Sequence, residues 1–303
     1  MSRKTDIRLI IALLVVAIVW GTTYLGIRVA VHTIPPWFVA GIRQLLAAFI
    51  LMMILWRKGE LRWIGWKDLR RQMLLSFFMI VVANGMTTVA EQSIPSGLTS
   101  LLNALSPIAV FIGSVFVGLQ KPNLKGISGV LLGFLGVAFI FRDGINDLWD
   151  PAYRMGMISL LIAISGWAGG TIYAKKNVQT GANIFLDLFY QFAFSAIVQL
   201  LFAFVWSPVI EPSVWSLKSG AAVVYLAVFG SVIGYFSYHY ALKRVTATEV
   251  SLLSYVNTLI ALFLGWLILD EVITVDLLIA TVLIIAGVFI TNYKKKNTVV
   301  EIK

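Results

Sequence analysis

Ten long apolar runs, separated by short polar links, follow one another along this chain. They lie at approximately 8–30, 36–56, 71–91, 95–119, 125–141, 155–174, 182–206, 219–241, 247–269 and 276–293. Each approaches the roughly 20 residues that an α-helix needs to cross a hydrocarbon core. In lipid every backbone N–H and C=O must be satisfied within the segment, so such runs are expected to be helices. An apolar share of 59% over 303 residues and a mean hydropathy of +0.90 leave little sequence for a soluble domain. The pattern predicts an all-α integral membrane protein, multi-pass, with ten transmembrane helices.

The net charge of +10 invites a nucleic-acid reading, and the placement of the charges argues against it. With both termini in the cytoplasm, inside segments hold Arg3, Lys4, Arg8, Arg57, Lys58, Arg62, Lys67, Arg70, Arg71, Lys121, Lys125, Lys175, Lys176, Lys243, Arg244, Lys294 to Lys296 and Lys303. That is 19 of the 24 basic residues, against Arg142, Arg154 and Lys218 outside and Arg28 and Arg43 within spans. The bias is the positive-inside rule, which sets both termini on the cytoplasmic side. The basic patches then act as topology signals with some affinity for anionic lipid heads, so the expected partner is the bilayer and not nucleic acid. There is no cysteine, hence no disulfide, thiol nucleophile or cysteine-ligated metal. The first run is too long for a signal peptide and is read as a permanent span.

The two halves of the chain resemble each other. "SLLNALSPIAVF" from Ser100 matches "SLLSYVNTLIAL" from Ser251, and the same offset of 151 carries Gly136-Val137 onto Gly287-Val288. An offset of 147 carries Trp20 onto Trp167 and Arg28 onto Lys175. Spans one to five (residues 1–146) are therefore expected to repeat as spans six to ten (147–303). Five is odd, so the second copy enters the membrane from the opposite face. This is an inverted repeat, an arrangement that places a substrate site near the midplane between the halves. Glycines at 126, 129, 133 and 136 share one face of the fifth span, where backbones can approach closely.

"VWGTTYLGIRVAV" from Val19, "IPPWFVAGIRQLLAA" from Ile34, "NGMTTVAEQSIPSG" with "LLNALSP", and "SYVNTLIALFLGWLILDE" together resemble EamA-family permeases of the drug/metabolite transporter superfamily. The similarity covers essentially the whole chain. It implies a ten-helix bundle in the cytoplasmic (inner) membrane of a prokaryote, with both termini cytoplasmic, exporting amino acids or other small metabolites by alternating access. No enzyme activity and no cofactor are expected. Two departures stand out: Thr258 occupies the place of an expected proline, and Gln120-Lys121 replace an acidic residue at the end of the fourth span, whereas Asp270-Glu271 close the ninth.

Polar groups inside spans cost about 2.5–3.5 kcal/mol each when charged, and so mark candidate sites. Asn84, Thr87, Thr88 and Glu91 recur at helical spacing as one stripe, which must face protein or water. For Glu91, gating or substrate contact stands beside simple pairing with Arg28 or Arg43. Arg43 is the candidate for binding an anionic group such as a carboxylate, or else a snorkelling side chain that fixes helix depth. Trp20 and Trp167, with Tyr24, Tyr235 and Tyr255, are candidate walls of an aromatic pocket. Asn103 and Asn257 add amides near the midplane. His239 and Glu249, at similar depth on the eighth and ninth spans, are the candidates for carrying a coupling proton.

No H-E-x-x-H, G-x-S-x-G or P-loop is present, and two histidines leave little for a metal site. The expected function is export of a small amphipathic metabolite by a monomer or homodimer. A membrane-embedded enzyme and a facilitative uptake carrier of the same fold are the alternatives.

Overall fold

The computed structural model describes residues 7–119, 121–141, 150–177, 183–207, 211–242, 244 and 253–292, and all regular structure among them is helical. Helix α1 covers Ile7–Ala30 and α2 covers Pro36–Arg57. Helices α3 (Trp66–Ala90) and α4 (Ser96–Phe116) follow, then α5 (Leu124–Phe141) and α6 (Pro151–Lys176). The remainder are α7 (Ile184–Trp206), α8 (Leu217–Ala241), α9 (Leu253–Leu269) and α10 (Val275–Asn292). Seven of these, α1–α4 and α6–α8, are long and apolar enough to cross a membrane. Helices α5, α9 and α10 carry shorter apolar stretches, Leu124–Val137, Val256–Leu269 and Val275–Ile290. Large apolar side chains such as Leu45, Phe49, Leu131, Phe134, Ile197 and Phe204 stand exposed on the outside of the bundle. Water would penalise that surface and lipid does not.

The turns at 31–35 and 91–95 are built alike. Ile34 and Ile94 are buried, their N–H groups bond to Ala30 and Ala90, and Pro35 and Pro95, both at φ −56°, launch α2 and α4. Proline fits there because a helix's first N–H groups lack intrahelical acceptors.

Cross-chain bonds sort the helix ends. At one end Arg28 donates to the Glu91 carbonyl, Ser216 N–H to Thr33 Oγ1 at 3.0 Å, and Ser96 N–H to Glu271 at 2.7 Å. At the other, Asn183 bonds Glu60 at 2.7 Å and Gln72 bonds Asp187 at 2.8 Å. Hence α7, α8 and α9 run opposite to α2, α3 and α4. Helix α1 packs on α8 and α9 as α6 packs on α3 and α4, while α2 lies against α7 and α5 against α10.

Two helices change pitch midway. Helix α3 is π-helical over Phe77–Asn84, and α8 over Leu226–Ile233, 149 positions later. A wide π turn shifts backbone hydrogen bonds and makes carbonyls available to other partners. Gln199 takes the Ile80 carbonyl at 2.9 Å, and Trp20 takes the Gly230 carbonyl at 3.2 Å.

Helix α4 breaks at Ala104–Leu105, just before Pro107, which has no N–H to give. The Ser106 hydroxyl donates to the Asn103 carbonyl at 2.7 Å. In α9, where Thr258 stands at the matching position, the helix runs unbroken. The glycine face of α5 does pack: a Cβ on Gly287 of α10 would lie 2.6 Å from the Gly129 carbonyl and 2.7 Å from the Gly133 nitrogen.

Candidate functional site

Arg43 lies inside the bundle with 2% of its surface exposed. Helix α2 aims it at the π segment of α8, where its Nε donates to Ser231 Oγ at 2.9 Å. The Ser231 hydroxyl passes the chain on to Gln44 Oε1 at 3.1 Å, and Gln44 Nε2 reaches Asn84 Oδ1 at 3.5 Å. Gly230 leaves the room this needs, because a Cβ there would sit 2.8 Å from both Arg43 Nη2 and Thr23 Cγ2. The buried Nη1 of Arg43 has no hydrogen-bond partner. An unmade bond on a buried cation is costly.

The same π segment holds an aromatic cluster. The Trp20 indole is bonded to Gly230, one residue before the serine that holds Arg43. Around it stand Trp167 at 5.8 Å, Tyr235 at 5.4 Å and Tyr238 at 5.1 Å between ring centroids. Phe192 packs edge-on to Tyr235 at 5.6 Å. Gly234 lets the indole approach, since a Cβ there would lie 2.5 Å from Trp20 Nε1. Tyr235 is also within electrostatic reach of Arg43, so the aromatic wall and the cation adjoin.

A third group forms between α1, α3 and α4. The Tyr24 hydroxyl meets the Ser100 and Asn103 side chains, and Asn103 Nδ2 donates to Thr87 Oγ1 at 3.4 Å. Glu91 lies wholly buried in the turn after α3. Arg28 does reach it, but through the main chain: the guanidinium donates to the Glu91 carbonyl. Both carboxyl oxygens of Glu91 are buried without a hydrogen-bond partner.

The sequence candidates thus divide. Trp20, Trp167 and Tyr235 meet in the aromatic cluster, with Arg43 and Asn84 joined beside it. Tyr24 and Asn103 meet near Glu91. Thr88 bonds within its own helix, to the Asn84 carbonyl at 2.9 Å. Asn257, with its amide oriented to satisfy both groups, donates to the Leu253 carbonyl at 3.0 Å and the Ala17 carbonyl at 2.7 Å, tying α9 to α1. His239 stands half-buried beside the Tyr238 ring. Glu249 and the side chain of Tyr255 lie outside the described residues. Among the described residues no three His, Asp or Glu side chains converge as metal ligands.

Gln44 and Ser231 are the central residues that sequence reading passed over, although Gln44 follows Arg43 directly in "GIRQLL". A second polar set was also missed, in which Gln191 donates to Gln72 at 2.6 Å and the Ser76 hydroxyl to the Gln191 carbonyl at 2.6 Å. Glutamines 72 and 191 lie on different apolar runs, and their only signal was an amide inside a span.

Comparison with known proteins gives a consistent picture. A family model described as the EamA-like transporter family matches twice, over residues 7–142 and 154–293. The chain is 31% identical over 260 residues to the uncharacterized inner membrane transporter YedA of Escherichia coli strain K12, covering 84% of this chain and 80% of that protein. It is 28% identical over 305 residues to a probable amino-acid metabolite efflux pump of the same strain, covering 97% and 96%. It is 25% identical to the uncharacterized transporter YoaV of Bacillus subtilis strain 168, over 95% of this chain and 97% of the relative. One crystal structure shares the fold with a TM-score of 0.67 at 16% identity, covering 95% of this chain and 98% of the other.

Proposed function

This chain belongs to the EamA-like transporter family, and on that premise we propose that it exports a small amphipathic metabolite, an amino acid or similar solute, by alternating access. The observation that carries the reading is Arg43. Its unpartnered Nη1 is buried beside a cluster of Trp20, Trp167 and Tyr235. A carboxylate placed on Arg43 would complete its hydrogen bonds, and an apolar substituent would lie against the rings. Trp20, Trp167 and Asn84 are only partly buried although they sit between helices, as crevice walls would be. The relative named as a probable amino-acid metabolite efflux pump supports export of this solute class.

Alternating access requires two halves that rock about the site. In our reading α5, α9 and α10 also cross the bilayer, giving ten spans in two inverted repeats, residues 1–146 and 147–303. Support comes from the double family match, the opposed directions of α7–α9 and α2–α4, the paired π segments and the exchanged packing of α1 and α6. The asymmetry of basic residues supports cytoplasmic termini in a prokaryotic inner membrane.

Metabolite profiling of the medium tests the direction and class of transport. Cells overproducing the protein should accumulate one class of carboxylate-bearing solute outside, and cells lacking it should retain that class. Identical media from both would overturn the proposal.

A further inference from the structure

We propose that Glu91 is a proton-binding site, whose carboxyl is neutral while the turn above it is closed and releases its proton to water when that turn opens. The inference rests on the transporter reading for the opening of the turn, and on the geometry of Glu91 for the proton.

Glu91 is fully buried, and neither carboxyl oxygen receives a hydrogen bond. An ionised carboxylate without donors is among the most expensive groups to bury, whereas a neutral acid is not. Arg28 and Arg43 bring positive charge that favours the ionised form, but burial outweighs both. From α1, Arg28 donates to the Glu91 main-chain carbonyl. From α2, Arg43 is directed to Ser231. From the end of α9, Glu271 brings a like charge within electrostatic reach, which disfavours ionisation of Glu91. Tyr24 of α1 faces the carboxyl, and Tyr153 of α6 packs on the Ala90 and Ile94 side of the same turn. Two anchors hold the turn shut: Arg28 on the Glu91 carbonyl, and Glu271 on the N–H groups of Ser96 and Gly97 at 2.7 and 2.9 Å.

The sign follows from linkage. The closed turn favours the protonated acid, so closure is complete at acidic pH. It is lost as pH rises and the acid ionises, because ionised Glu91 gains by reaching water. Each opening of the turn then releases one proton from Glu91 to the water it meets, and each closing takes one back.

The natural chain has no cysteine, so a single reporter thiol is unambiguous. Thr99, fully buried in the first turn of α4, becomes the reporter in Thr99→Cys. The full chain is held in nanodiscs of phosphatidylethanolamine and phosphatidylglycerol, and labelling by N-ethylmaleimide is followed across pH with Glu91 intact and with Glu91→Gln. Ionisation of the thiol affects both backgrounds equally, so the ratio of their rates isolates Glu91. The ratio should rise with pH, by up to about tenfold per unit for one proton. The Glu271→Gln background should keep that rise. A flat ratio would overturn the proton site while leaving the transporter reading standing. No labelling at any pH would overturn both. If Glu91→Gln fails to fold, infrared spectra of the natural chain carrying 13C-glutamate decide instead. A protonated glutamate carbonyl band at neutral pH that vanishes at alkaline pH is expected, and its absence contradicts the site.

Discussion

Glu271, just past the end of α9, accepts hydrogen bonds from the N–H of Ser96 at 2.7 Å and its hydroxyl at 2.8 Å, across 175 positions of sequence. Its second oxygen accepts from Gly97 N–H at 2.9 Å. A carboxylate thus caps the positive end of α4 from another helix. A Cβ on Gly265 would lie 2.4 Å from that second oxygen, so the approach depends on bare backbone.

Glu271→Gln keeps the shape and one acceptor but removes the charge. It should lower stability by about 1–2 kcal/mol, read as a fall in melting temperature in detergent. An unchanged melting temperature would show that the cap contributes nothing.

Ser231→Ala should be more damaging than its size suggests. It strands Arg43 Nε and Gln44 Oε1, both buried, and each unsatisfied group costs about 1–3 kcal/mol. Thermal unfolding of the purified variant should show the loss, and flux should fall with it because the guanidinium is no longer aimed.

Trp20→Phe removes the bond to Gly230 while keeping a ring among Trp167, Tyr235 and Tyr238. Stability should drop by only about 0.5–1.5 kcal/mol. Transport should fall by a larger factor than this small stability loss explains, as expected of a substrate wall.

Gly287→Ala places a methyl group against the backbone of Gly129 and Gly133, where no side-chain rotation relieves it. Overpacking of this kind costs about 1–3 kcal/mol. Gly220→Ala is the control: nothing lies within 4 Å of its Cβ position, and it should be neutral or slightly stabilising.

Sequence made the helices plain, because hydropathy is a one-dimensional signal, and the family was legible as a resemblance through motifs such as "VWGTTYLGIRVAV". It also pointed to Arg43, Trp20 and Trp167, since charge and large aromatics inside apolar runs are conspicuous. Three features were not legible. The π segments of α3 and α8 leave no compositional mark, so the carbonyls that hold Trp20 and Gln199 were invisible. Ser231 reads as an ordinary small residue until Arg43 is brought to it by packing 188 positions away. Glu91 and Arg28 were readable as opposite charges at one depth, but the donor reaches a carbonyl, and only the fold decides that. Asn257 shows the converse case, an amide conspicuous within a span whose donors are both directed to backbone carbonyls.

Solute efflux from liposomes tests transport through Arg43 most directly. Purified protein is reconstituted into vesicles loaded with a defined mixture of amino acids and related carboxylates, and the release of each is timed. The expected result is selective release of at least one solute, reduced at least tenfold in Arg43→Ala protein shown to be folded by its unfolding curve. Release of no solute by folded natural protein, or equal release by Arg43→Ala, would contradict it.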